Sequence, residues 1–212
     1  MGVKTIALFL NHPNCSVQSV NGVMAACPDY RYKIFTKHPV PENFFNDVDI
    51  ICCPGGLGHS DTFDSIFAHH RDSVRDFILR GKPYLGICMG AYWCDQHYLD
   101  VLQETRVVQY IKQPGTCTRR PHAKAMPICW EGIQDHMFFY DGCTFVGGYY
   151  QTIATYDNTQ MPMAIIQQNM ALVGCHPEAE NFWHSMYSYI NIPRNPLHSV
   201  WLNQLVEKLW RS

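Results

Sequence analysis

The chain has 212 residues, of which only 16% are charged, with a formal net charge of −2 at pH 7. That charged share lies below the roughly 25% usual for soluble domains, so His, Tyr, Asn, Gln and Ser must supply much of the polar surface. Near-neutrality without a long Lys/Arg run removes the electrostatic basis for nucleic-acid binding, and the length suits one domain, residues 1–212, with a sizeable core.

The first apolar run, Val3 to Leu10, reads as a strand buried on both faces. It is too short for a secretory signal or a membrane span, and Gly2 followed by Ile6 lacks the Ser/Thr of a myristoylation signal. A cytoplasmic protein without a membrane partner is therefore expected. Asn11 to Ser16, with Pro13, forms a turn, and Val17 to Ala26 has helical spacing. Tyr32 to Phe35 is a short strand, and Val48 to Cys53 is a second buried run, broken by Pro54-Gly55-Gly56-Leu57-Gly58. Phe63 to Phe67 and Ser73 to Leu79 are helical, the latter with Val74, Phe77 and Ile78 on one face. His69-His70 is a weak metal candidate and reads better as an exposed helix face. Gly81-Lys82-Pro83 leads into a third buried run that ends at Gly86-Ile87-Cys88-Met89-Gly90.

Beyond residue 100 the pattern changes. Val107 to Ile111, Met126 to Ile128, Met137 to Tyr140, Thr144 to Val146, Gln151 to Ala154 and Met163 to Gln167 are short β-type segments, as in hairpins. Between them, Arg119-Arg120-Pro121-His122-Ala123-Lys124 reads as a solvated basic loop, or, beside a pocket, as a partner for a carboxylate or phosphate. Ala171 to Glu178 is a last buried strand running into a turn. Glu180 to Ile190 is read as a helix with Phe182, Met186 and Tyr189 as its apolar stripe. Asn195-Pro196 opens the final helix, where Leu197, Trp201, Leu205 and Leu209 recur at i+4. The ten cysteines lie mostly in apolar settings without Cys-x-x-Cys spacing, which favours reduced thiols over disulfides or zinc. No metal or cofactor is expected.

The β-α-β-α-β order implies a parallel sheet with helices on both faces, and in such sheets ligands lie beyond the carboxyl ends of the strands. Three segments end strands there with unusual residues. Gly-x-Cys-x-Gly around Cys88 is the cysteine form of a nucleophile elbow, in which small residues let strand and helix pack about a strained turn. A helix N-terminus there favours the thiolate and offers amides to an oxyanion. His176, after another strand, is a base for Cys88, with Glu178 to hold its tautomer; Pro177 is expected to keep the backbone between them extended. Gly55 and Gly56 bring backbone close to a substrate, with Gly56 and Met89 N–H groups as the oxyanion hole.

The elbow Pro83-Tyr84-Leu85-Gly86-Ile87-Cys88-Met89-Gly90 together with His176-Pro177-Glu178 resembles the class I glutamine amidotransferase-like superfamily. Within it, Pro54-Gly55-Gly56 with Phe63, the Gly-Ile-Cys-Met-Gly-Ala-Tyr run, and the region from Tyr140-Asp141-Gly142 to Gly147-Gly148 resemble the amino-terminal domain of eukaryotic biotin-protein ligases. The resemblance implies a flavodoxin-like three-layer α/β sandwich: a mostly parallel central sheet, helices on both faces, and an added hairpin region in the second half. It also implies a Cys-His-Glu triad acting on a carboxamide through a thioester. Ordinary members commonly carry Gln at the position of Tyr92, where it binds glutamine, so Tyr92 is read as a substrate-binding residue that leaves the acyl donor open. Without a synthetase domain in these residues, released ammonia is expected to pass to a separate acceptor protein. Two other readings stay open: a catalytically silent domain that holds a small ligand in the same crevice, and a cysteine peptidase or cyclase on the same scaffold.

Overall fold

The computed structural model describes residues 2–13, 17–56 and 62–210; Asn14, Cys15, Ser16, Leu57 and Gly58, which belong to turns read above, lie outside the described residues. In chain order the first half gives β1 (Thr5–Phe9), α1 (Val17–Ala26), β2 (Arg31–Phe35), β3 (Ile50–Cys53), α2 (Thr62–Ile66), α3 (Arg71–Leu79), β4 (Tyr84–Ile87) and the short α4 (Met89–Tyr92). The second half gives β5 (Arg106–Gln109), β6 (Lys124–Trp130), β7 (Ile133–Phe139), β8 (Cys143–Val146), β9 (Gln151–Tyr156), β10 (Pro162–Gln167), β11 (Met170–Val173), α5 (Asn181–Ser185) and α6 (Leu197–Lys208).

Nine strands form one sheet in the order β2-β1-β3-β4-β11-β10-β9-β6-β7. The run from β2 to β11 is parallel, and β10, β9, β6 and β7 extend it antiparallel. Strands β5 and β8 pair separately. The parallel part is wound in both directions from β1, so its carboxyl ends share one rim, where a doubly wound sheet places its ligand crevice. Residues 53, 87 and 173 all lie on that rim.

Strand periodicity explains why the apolar runs are continuous. Ile6, Leu8, Ile50, Cys52, Leu85, Ile87, Ala171 and Val173 enter one core with α1 and α6. Their alternates Ala7, Phe9, Ile51, Cys53, Tyr84, Met170 and Leu172 enter a second core with α2 and α3. Every side chain is thus buried on one face or the other, as the helix-covered parallel sheet requires. The fold class read from the sequence is the one observed.

Three expectations need correction. The helix expected over 180–190 ends at Ser185, and Phe182, Met186 and Tyr189 are exposed. Trp183 and His184 turn inward instead, where Trp183 meets Phe138 edge-to-face at a 5.1 Å centroid distance. The segment expected as a strand to Ile111 leaves β structure after Gln109 for a 3₁₀ turn at Tyr110–Lys112. His70 is buried, not exposed: its Nε2 bonds the Thr36 carbonyl at 2.6 Å and its ring packs on Phe35.

The final helix starts as its sequence indicates. Asn195 Oδ1 accepts from the Leu197 N–H at 3.0 Å, while Asn195 Nδ2 and His198 Nε2 both reach Asp135 Oδ2 on β7. Trp201 then stacks flat on Trp130 of β6, with ring centroids 5.4 Å apart. Among the described residues no helix is long and apolar enough to cross a membrane. Replacing Trp201 by Ala removes this stack and leaves a cavity, and is expected to cost about 3–5 kcal/mol in urea unfolding at unchanged m-value. An unchanged midpoint would show that the α6 seam contributes little to stability.

Candidate active site

Cys88 joins β4 to α4 with φ 47° and ψ −101°, a left-handed backbone that costs a non-glycine residue about 1–3 kcal/mol. Its own amide donates to the Val173 carbonyl at 2.7 Å, extending the ladder with β11, while its carbonyl accepts from the N–H groups of Ala91 and Tyr92. One residue thus ends a strand and starts a helix, and only a sharp reversal satisfies both. The flanking glycines make that reversal possible. A Cβ on Gly90 would stand 1.9 Å from the Cys53 carbonyl oxygen, and one on Gly86 would stand 2.6 Å from the Gly90 oxygen.

His176 and Glu178 follow β11. Their backbone is not extended, as Pro177 suggested, but turned: the Ala179 N–H reaches back to the His176 carbonyl at 3.1 Å. That turn brings the carboxylate to its neighbour's ring, where an extended run would hold the two side chains farther apart. His176 Nδ1 donates to Glu178 Oε1 at 3.0 Å, and both side chains are essentially inaccessible to solvent, at 1% and 0% exposure. Ser19 Oγ of α1 donates to the same Oε1 at 2.7 Å. His176 Nε2 is buried with no hydrogen-bond partner. Phe138 and Trp183 wall the imidazole at ring distances of 5.8 and 5.2 Å. Burial works against the imidazolium, but the charges of Glu178 and Cys88 outweigh it and raise the His176 pKa to about 10.

Gly55 has a different place from the one expected of it. A Cβ there would meet His176 Cε1 at 2.3 Å and Nδ1 at 2.5 Å, so the missing side chain makes room for the imidazole. Gly56, next in the loop after β3, is buried as well. Met89 opens α4, where the first amides of a helix have no partner within it; its Sδ accepts from Thr62 Oγ1 at 3.6 Å. The Cys88 thiol is directed to the Tyr140 carbonyl at 3.6 Å. Tyr92 braces the same turn, its hydroxyl donating to the Asp141 carbonyl at 3.1 Å, and Gln109 Nε2 holds the Asp141 carboxylate at 3.0 Å. Cys88, His176, Glu178 and Gly55 are therefore one cluster, with Tyr92 supporting its edge.

Ser19 is the member that sequence reading missed. Its signal was positional: with Gly22, Val23 and Ala26 it lies on the buried side of α1, and a hydroxyl on an apolar stripe needs a partner. Among the described residues no group of three or more His, Cys, Asp or Glu side chains is placed to hold a metal ion. Elsewhere in the core, burial pushes the Cys27 and Cys53 thiols up to about 12 and raises those of Cys94, Cys143 and Cys175.

An elbow cysteine and a buried His–Glu pair thus stand together at the carboxyl rim of a doubly wound α/β sheet. Residues 25–186 match the class-I glutamine amidotransferase family, and the chain belongs to it. A relative, the imidazole glycerol phosphate synthase subunit HisH of Herpetosiphon aurantiacus, is 31% identical over 157 residues, which cover 63% of this chain and 70% of the relative. In fold, the chain is similar to a glutamine amidotransferase of Thermotoga maritima, with a TM-score of 0.69 at 10% identity over 100% of both chains. It is similar also to a chain of PurLQS from Thermotoga maritima, with a TM-score of 0.66 at 12% identity over 99% of this chain and 100% of the other.

The raised pKa fixes the direction of a pH effect. Because His176 binds its proton more tightly when folded, its contribution to stability is fully present below the unfolded value near 6.5 and is lost as pH rises through about 10. The His176 ring resonances are expected to titrate near 10, and in Glu178→Gln the midpoint should fall by about one unit or more. A wild-type midpoint at 6.5 would mean that the pair is not ionised. Gly55→Ala should likewise displace the ring and lower the midpoint; an unaltered midpoint would show that the loop yields to the added methyl.

Proposed function

We propose that the chain is a cysteine-dependent amidotransferase of the glutamine-hydrolysing type, working as one domain with Cys88 as nucleophile, His176 as acid and base, and Glu178 as the group that orients and charges the imidazole. The observation that carries this reading is the buried His176–Glu178 pair, with Nε2 unpartnered and with Cys88 near enough to act on the ring's charge. In this scheme His176 already holds the proton given up by Cys88, and the thiolate attacks the carbonyl carbon of a carboxamide. The oxyanion forms against the N–H groups of Gly56 and Met89. The tetrahedral intermediate collapses as His176 delivers its proton to the departing ammonia, and a thioester remains on Cys88. Water, deprotonated by the now neutral His176, attacks the thioester, releasing the acid and restoring the thiolate–imidazolium pair. Glutamine or a related carboxamide is the substrate, and no cofactor takes part.

The relative whose name makes it a synthase subunit supports a separate synthase as the acceptor of the ammonia. The Gly-Ile-Cys-Met-Gly-Ala-Tyr run supports the biotin-ligase-amino-terminal-like subgroup as the finer placement. Tyr92 supports a donor site that differs from that of family members with Gln there, since its hydroxyl is engaged by Asp141.

Ammonia release from glutamine and from other primary carboxamides tests the scheme. Cys88→Ala is expected to abolish turnover while leaving the circular dichroism spectrum unchanged, and Glu178→Gln to reduce kcat by about 10²-fold. A Cys88→Ala protein with full amidase activity would sink the assignment. At pH 7 iodoacetamide should label Cys88 faster than Cys117, an exposed thiol that serves as internal reference. Labelling of Cys88 no faster than that of Cys117 would favour the silent ligand-binding reading.

A further inference from the structure

The triad carboxylate is held from outside the loop that carries it. Ser19 is fully buried on α1, and its hydroxyl meets Glu178 Oε1, the oxygen that also receives His176 Nδ1. Glu178 Oε2 is buried without a hydrogen-bond partner. Two donors separated by 157 residues of chain therefore converge on one oxygen, and the other oxygen has none. A serine inside a helix ordinarily bonds its own preceding turn or faces solvent, and gains nothing in helix propensity over alanine. This one has a partner 159 positions away.

The reach is fixed by packing. A Cβ on Gly22, one helical turn beyond Ser19, would stand 1.9 Å from the Glu178 carbonyl oxygen and 3.3 Å from its Cβ. Helix α1 thus lies directly on the His-Pro-Glu turn, which holds the Ser19 backbone within a hydroxyl's reach of the carboxylate. A second charge acts on the same carboxylate. The Arg194 guanidinium feels the charges of Glu180 and Glu178, and its Nε is buried and unpartnered.

We propose that Ser19 is a positioning residue of this site, fixing which Glu178 oxygen meets the His176 imidazole and keeping the carboxylate from turning toward Arg194. The proposal rests on the Cys-His-Glu reading for its catalytic meaning, although its geometry stands without it. Loss of the hydroxyl leaves one donor on Oε1, and the carboxylate rotates between the imidazole and the guanidinium. The imidazolium is then less well stabilised, and with it the thiolate.

Full-length Ser19→Ala, Ser19→Thr and Glu178→Gln proteins test this with two readouts that need no substrate: the His176 ring titration and the rate of Cys88 alkylation by iodoacetamide. The titratable groups acting on the ring are Glu178 and Cys88. Ser19→Ala is expected to lower the His176 midpoint by about one unit and to slow Cys88 alkylation at pH 7 by about fivefold or more. Ser19→Thr, which keeps a hydroxyl, should retain most of both. A Ser19→Ala protein with wild-type midpoint and wild-type alkylation would overturn the proposal. Should Thr fail to fit beside Gly22, the paired Ser19→Ala and Glu178→Gln titrations still decide. A shift in Glu178→Gln with none in Ser19→Ala sinks the role of Ser19 and leaves the triad standing. Full amidase activity in Cys88→Ala sinks the triad and leaves the Ser19 readouts in force.

Discussion

The site depends on how closely the backbone after Cys88 approaches the end of β3. At Gly90 the approach leaves no space for a Cβ beside the Cys53 carbonyl, and at Gly86 none beside the Gly90 carbonyl. These contacts pull α4 onto the sheet within a single residue of β4, and Cys88 takes the left-handed backbone that results. The strain is held by groups on both sides of it. Tyr84 donates its hydroxyl to the Gly90 carbonyl at 2.9 Å. Trp93, directly after α4, is buried and stacks on Phe67 at 4.4 Å, with Phe9 and Phe63 against its edges. The aromatic core under α4 therefore does more than fill space: it presses the helix down and holds the thiol on the rim.

The His176–Glu178 pair has the opposite energetic character. Taking both charges fully out of water costs several kcal/mol for each ion, and mutual attraction seldom returns more than that. The surroundings reduce the cost in specific ways. Ser19 adds a donor to the carboxylate, Cys88 adds charge near the ring, and Phe138 and Trp183 exclude water that would weaken both effects. Stability comes instead from the two apolar layers on either side of the sheet. The pair is a buried titratable cluster of the kind that functional sites hold.

Much of the fold was legible because its signals are local. Buried parallel strands read as unbroken apolar runs, and the elbow glycines mark places where no side chain fits. Helix α1 emerged with the residues expected, since its apolar positions recur at helical spacing. The failures share a cause in tertiary choice. Residues 182, 186 and 189 have helical spacing, yet Trp183 finds a better partner in Phe138, and the helix ends early. His70 looked solvent-facing beside His69, but the Thr36 carbonyl and the Phe35 ring draw it inward. Gly55 signalled close approach without revealing to what: the neighbour is the imidazole, 121 positions later in the chain. Ser19 carried the faintest signal, because nothing in the sequence joins a helical serine to a glutamate across the whole domain.

The antiparallel half of the sheet completes the site in a way the parallel half cannot. Its β7–β8 connection carries Tyr140, whose carbonyl meets the thiol, and Asp141, whose carbonyl takes the Tyr92 hydroxyl. Asp141 has φ 50°, its carboxylate is held by Gln109, and the Tyr110 N–H donates to the Gly142 carbonyl. Close contact continues below, where a Cβ on Gly142 would fall 2.3 Å from the Gly174 carbonyl, two residues before His176. The turn is thus clamped between the elbow and the histidine strand. A Tyr92 side chain directed at Asp141 fixes the turn that borders the thiol, whereas a Gln there would leave that carbonyl without its phenolic donor. Tyr92 is therefore structurally paired with the 140–142 turn that borders the thiol.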